Sequence, residues 1–127
     1  MRRADQRRAA VVALYQHEVT HRPVADVTPK DASSFTRELV DGVLHNQEEL
    51  DDLIGRYARG WTLDRIAPLE RSILRVALYE MLHRADVPDE VAINEAVEAA
   101  KELCAAEAPG FVNGILGAVK NTEVTQG

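Results

Sequence analysis

The side chains best suited to chemistry gather at the start of the chain, where MRRADQRRAA places Arg2, Arg3, Arg7 and Arg8 within eight residues. Guanidinium forks match anionic oxygens such as those of phosphate, so four together permit an anionic ligand. On a helix, the open N–H groups and positive dipole of the first turn would add to that attraction. The rest of the chain has the opposite sign. Four arginines against Asp5 leave +3 on the first eight residues; with 21 acidic and 15 basic residues in all, the other 119 carry −9. Such a bipolar chain admits an anion at one end while its acidic remainder deters indiscriminate nucleic-acid binding. A solvated terminus that binds nothing is the plainer reading of the same residues.

The remaining reactive types offer less. His17 and His21 have the i, i+4 spacing of a metal pair but no indicated third ligand, so neither a metal nor any other cofactor is expected. Asp51 and Asp52 adjoin in sequence and point apart on a helix, which rules them out as an acid–base pair. The single cysteine, Cys104, cannot form an internal disulfide, and a cytoplasmic address fits. No phosphate-cradling loop, nucleophile motif or thiol pair is present, so a binding protein is expected and not an enzyme. No apolar run reaches bilayer length, and the arginines are not followed by the uncharged stretch of an export signal.

What must position the arginines is a helical scaffold. At 127 residues and 46% apolar composition the chain suits a single domain, 1–127. Aromatics at 5% and a lack of alternating apolar residues make it all-α. The first helix is predicted over about Ala4 to Val19, with Val11, Val12, Leu14, Tyr15 and Val19 on its apolar side. A loop through Pro23 and Pro29 follows. The second helix starts at Ser33 or Ser34 and ends at His45 and Asn46; Asn46 and Glu49 resemble a cap for the third, which reaches toward Gly60. A short turn in TLDRIAP leads to Pro68 and a helix, LERSILRVALYEMLHR, apolar over most of its circumference and therefore central. VAINEAVEAAKELC is amphipathic, and FVNGILGAV supplies a short last helix before a polar tail that frays. The total is about seven helical segments with a break near Gly60.

ILRVALYEM, then VP with VAINEAVEAAK, then FVNGIL, together with ALYQHE, FTRELVDGV, ELDDLI and GWTLDRIAPLER, resemble the transcription antitermination factor NusB family across nearly the whole chain. The resemblance implies two packed three-helix subdomains. It also implies binding of boxA RNA in ribosomal RNA leader transcripts, jointly with NusE, a small-subunit ribosomal protein, so that RNA polymerase, with other Nus factors, reads through terminators. Arg3 and Arg7 match the family's basic positions, although Ala4, Asp5 and Gln6 interrupt the usual run. A NusB-like targeting domain of ribosomal RNA methyltransferases is the alternative, from which the length of the chain distinguishes it, since those enzymes continue into a catalytic domain. An interaction module without an RNA role, such as a homodimer that buries the arginines, is a third.

The candidate RNA-binding residues are thus Arg2, Arg3, Arg7 and Arg8, with Lys101 and Lys120 either widening the basic surface or serving solubility. Neither Arg3 nor Arg7 is expected in the core. Tyr15 and Glu70 match positions of the NusE-binding surface; core packing for Tyr15 and a dipole-facing carboxylate for Glu70 are the alternatives. Glu80 either joins that interface or pairs with Arg84 four residues on. Asn94, Asn113 and Gly114 are assigned to architecture: Asn94 to capping or bridging, Gly114 to close helix packing. Phe111 is assigned to the core.

Overall fold

The computed structural model describes residues 2–124, all of whose regular structure is helical. Its α-helices are α1 (Arg3–Thr20), α2 (Val24–Val27), α3 (Ser34–His45), α4 (Gln47–Tyr57), α5 (Pro68–His83), α6 (Asp89–Leu103) and α7 (Ala108–Val119). A 3-10 turn over Leu63–Arg65 precedes α5, and a π-type turn, Lys120–Val124, extends α7. The stretch read as a loop therefore contains the single turn α2, and the segment before Pro68 is 3-10. Among the described residues, no helix is long and apolar enough to cross a membrane.

The central helix is α5, packed against α1, α3, α4, α6 and α7. Every residue from Arg71 to Met81 is buried, including Ile73, Leu74 and Leu78, so no side of it is left for solvent. Around it, Leu39 and Val43 of α3, Leu50 and Ile54 of α4, Ala96 and Ala100 of α6 and Leu116 of α7 close one continuous apolar cluster. Gly60 turns the chain between α4 and the 3-10 segment at φ 78°, a left-handed conformation that glycine adopts without strain.

Local signals explain most helix ends. Ser33 caps α3 by accepting the Thr36 N–H at 3.0 Å, and Pro68 starts α5 where its missing donor costs nothing. Other expectations are corrected. Asn46 does not cap α4: its Nδ2 donates to the Gly42 carbonyl at 2.7 Å, closing α3 instead. With a single residue between the two helices, the unpaired carbonyls of α3 claim its side chain. Val12 and Val19 are exposed, since the inner face of α1 is Ala10, Val11, Ala13 and Leu14. The tail does not fray through Glu123, whose carboxylate holds the Tyr57 hydroxyl and, at 3.0 Å, Arg56; residues 125–127 lie outside the described ones.

Gly42 of α3 packs against Tyr79 of α5, where a Cβ would stand 2.2 Å from the ring. Gly42→Ala is expected to destabilise the protein by about 1–3 kcal/mol, because the ring must shift within a packed interior. Urea unfolding checks this; Gly114→Ala, where a Cβ would meet nothing within 4 Å, is the matched control and should be neutral or stabilising.

Candidate nucleic-acid interface

Helix α1 lies antiparallel along α5, fixed by charge pairs at both ends. Near its start, Arg7 donates from Nε and Nη2 to the Glu80 carboxylate at 2.8–3.0 Å, with Glu80 1% exposed. Near its end, Glu18 accepts from Arg71 and, at 3.0 Å, from Arg75, which also donates to Asp51 of α4 at 2.7 and 3.1 Å. Burial of all these charges is tolerable because each has an opposite partner within hydrogen-bond reach.

The start of α1 is built around Phe35 of α3, a buried ring with three guanidinium groups nearby. Arg3 stands 4.2 Å from the ring centroid, Arg84 5.1 Å and Arg7 5.4 Å, within cation–π range. Arg84 in turn holds Glu38 and both oxygens of Asp86 at 2.9 Å, and Tyr79 donates to Glu38 at 3.2 Å. These bonds from Arg84, with the charge of Arg3 behind them, keep the Asp86 carboxyl down at about 2.

The exposed basic side chains then splay apart. Arg2, 86% exposed, lies 3.9 Å from Asp5; Arg3 lies 3.8 Å from Asp86, just before α6; Arg8 Nε lies 3.0 Å from Glu102 in the last turn of α6. Helix α6 has 15 residues and is about 22 Å long. The arginines therefore form a band beside α6 and not one cluster. Lys101 and Lys120 meet Glu98 and Glu90, each at 3.2 Å.

At the far end of α1 and α5 are the candidate partner residues. Tyr15 is half-buried one turn before Glu18, and Glu70 immediately precedes Arg71, so the Glu18–Arg71 pair brings their helices together there. Glu70 lines a groove of about 440 Å³ with Trp61, Ile66, Phe111 and Glu107. Burial, then repulsion from Glu107, raises its carboxyl pKa despite a hydrogen bond from the Ala67 backbone. Along α5, Glu70 and Glu80 are ten residues, about 15 Å, apart.

Comparison with known proteins gives this arrangement a lineage. The NusB family model matches residues 4–121. The chain belongs to the NusB family. It is 53% identical over 87 residues to the transcription antitermination protein NusB of Frankia casuarinae, an alignment that takes in 68% of this chain and 64% of that protein. NusB of T. maritima superposes with a TM-score of 0.89 at 34% identity, covering 98% of this chain and 94% of that one. The fold extends, at 24% identity and a TM-score of 0.82 over 95% of this chain and 98% of the other, to a chain in the crystal structure of antitermination factors NusB and NusE with double-stranded RNA.

Within this NusB-family fold, several expectations about single residues change. Arg7 lies in the core, because it falls on the same stripe as Ala10, Val11 and Leu14, with its guanidinium committed to Glu80. Glu80 is correspondingly unavailable to a partner surface and does not pair with Arg84, which turns to Glu38 and Asp86. Asn94, Asn113 and Gly114 are exposed, with no cap, bridge or close packing at any of them among the described residues. Phe111 is half-buried, edge-on to the exposed Trp61 with ring centroids 6.1 Å apart. Reasoning from the sequence missed the Glu18, Asp51, Arg71 and Arg75 network. Two arginines one turn apart inside a helix apolar over most of its circumference were its signal, since unpaired charge is not buried.

Two outcomes follow from this geometry. Arg7→Ala strands Glu80 in the interior and is expected to cost about 3–5 kcal/mol in urea unfolding, whereas joint replacement by Met at 7 and Leu at 80 should cost far less. Asp86, depressed in the folded state to about 2 from its ordinary 3.8, adds stability above pH 4 that is lost as pH falls toward 2. Asp86→Asn should therefore melt lower than the parent at pH 5 and converge with it near pH 2.

Proposed function

We propose that the chain is a cytoplasmic transcription antitermination factor that binds boxA RNA of ribosomal RNA leaders together with NusE, reaching other Nus factors and RNA polymerase through that complex. The observation that carries this reading is the solvent-facing start of α1, a net-positive end on an acidic chain of the NusB family. The shared name of its relatives supports the activity. Arg2, Arg3 and Arg8 supply the RNA contacts, with Lys101 beside Glu102 as a flanking charge, and Arg7 holds α1 in register. Lys120 lies on the turn after α7. Resting over Phe35 and half-exposed, the Arg3 guanidinium is held near the surface within reach of an approaching phosphate.

Tyr15 and Glu70 form the NusE-facing surface, away from the arginines. Separation along α5 lets RNA and protein bind at once, and the raised pKa of Glu70 reports a carboxylate already partly stripped of water, a state in which pairing with a basic partner side chain is strengthened. Binding, not bond-making, is the chemistry this surface performs.

Titration of boxA RNA and a scrambled strand with the purified protein, alone and with NusE, tests the reading. Arg3→Ala and Arg8→Ala are each expected to weaken boxA binding and to flatten its dependence on log[salt] by about 0.7 per lost phosphate contact. Glu70→Lys should leave the melting curve intact and lower NusE affinity by about 2–5 kcal/mol in calorimetry. An unchanged salt slope in the double arginine variant, or normal NusE binding by Glu70→Lys, would overturn the respective assignment.

A further inference from the structure

Apart from the buried Arg7, every arginine at the start of α1 already faces a carboxylate of the chain itself. The three acids come from three places: Asp5 within α1, Asp86 in the turn before α6 and Glu102 in the last turn of α6. An array meant only to attract phosphate would leave those guanidinium edges open. We propose that Asp86 and Glu102 are internal competitors for the RNA phosphates, standing at rest within ion-pair distance of the Arg3 and Arg8 guanidinium groups that RNA must take, and so setting the threshold at which RNA binds. This deepens the RNA reading given above and rests on it.

The two competitors leave by different routes. Asp86 is held from behind, both its oxygens bonded to Arg84 at 2.9 Å while Arg84 also grips Glu38. It stays in place, and Arg3, half-exposed and resting on Phe35, is the member that swings away to a phosphate. At the other site the roles reverse. Arg8 is 21% exposed, donates to the Ala4 carbonyl at 3.4 Å, and has its Nε buried against Glu102 without the alignment of a hydrogen bond. Glu102 is 58% exposed with no second partner among the described residues, so Glu102 moves and Arg8 stays.

Exposed pairs of this kind bias an equilibrium by about 1.4- to 5-fold each. That is too little to exclude RNA, but it applies at each arginine separately. A strand that reaches one arginine only exchanges one anion for another. A strand that presents phosphates to Arg3 and Arg8 together displaces both competitors while its counterion release is drawn from the whole contact. The competitors thus favour a ligand shaped to the band beside α6 over polyanions in general.

The test compares Asp86→Asn, Glu102→Gln and their combination with Glu48→Gln, a neutralisation of equal charge on exposed α4. Binding of boxA RNA and of a scrambled strand of equal length is measured from 0.05 to 0.3 M salt, with thermal melts confirming each fold. Each of the first two variants is expected to bind boxA about two- to five-fold more tightly than the parent, and Glu48→Gln within error of it. The salt slope of Glu102→Gln should also steepen, because the Glu102 carboxylate released by exchange gathers a cation and offsets part of the counterion release in the parent, whereas Asp86 stays paired with Arg84. Gains no larger than that of Glu48→Gln, in a protein whose boxA binding still depends on Arg3 and Arg8, would overturn the competitors and leave the RNA reading standing. If boxA binding is insensitive to Arg3→Ala and Arg8→Ala, the RNA reading fails and this inference with it.

Discussion

The pairing of Arg7 with Glu80 governs where the rest of α1 can lie. Two opposite charges, each set in an apolar stripe, find satisfaction only in each other, and they do so across the seam between α1 and α5. Sliding α1 by one turn would leave a carboxylate that is 1% exposed without a partner, a penalty that outweighs the small differences in apolar contact between neighbouring registers. Once this register is set, Arg3 falls over Phe35 and beside Asp86, Arg8 meets Glu102, and Glu18 reaches Arg71 and Arg75 at the opposite end. The surface charges are arranged by one buried pair set beneath them.

Burial and display are thus divided between adjacent residues of the same type. Arg7 and Arg8 differ by one position, a rotation of about 100° on a helix, and that rotation sends one guanidinium inward to Glu80 and the other to the partly exposed flank beside Glu102. The same division separates Asp51, which supports Arg75, from Asp52, which meets the exposed Arg56. Charge in this protein is a resource of both the core and the surface, and composition does not distinguish the two uses.

Helix positions were legible because 3.6-residue periodicity is a property of each segment alone, and the centrality of α5 followed from its apolar circumference. Side-chain partners were less so, although part of the signal was present: Arg7, Ala10, Val11 and Leu14 occupy i, i+3, i+4 and i+7, which places the arginine on the buried stripe. Gly114 was misjudged for the complementary reason. The inward face of α7 is Val112, Ile115, Leu116 and Val119, which turns Gly114 to solvent. Asn46 shows a limit of local pattern, since its spacing from Glu49 suits a helix start but a one-residue link lets the preceding helix claim it first. The carboxylates opposite Arg3 and Arg8 lie about 80 and 90 residues away in sequence, and only the packing of α1, α5 and α6 brings them there.

The enclosure of α5 has a mechanical meaning. A helix about 24 Å long, buried on every side from Arg71 to Met81 and tied by ion pairs along its length, cannot bend, unwind or change register without disrupting the whole interior. It behaves as a rod. A displacement imposed beside Glu70 would therefore pass toward Arg84 as a tilt or slide of a rigid body and not as a chain of side-chain rearrangements. Two occupants at its ends would sense each other through the lever arm they share.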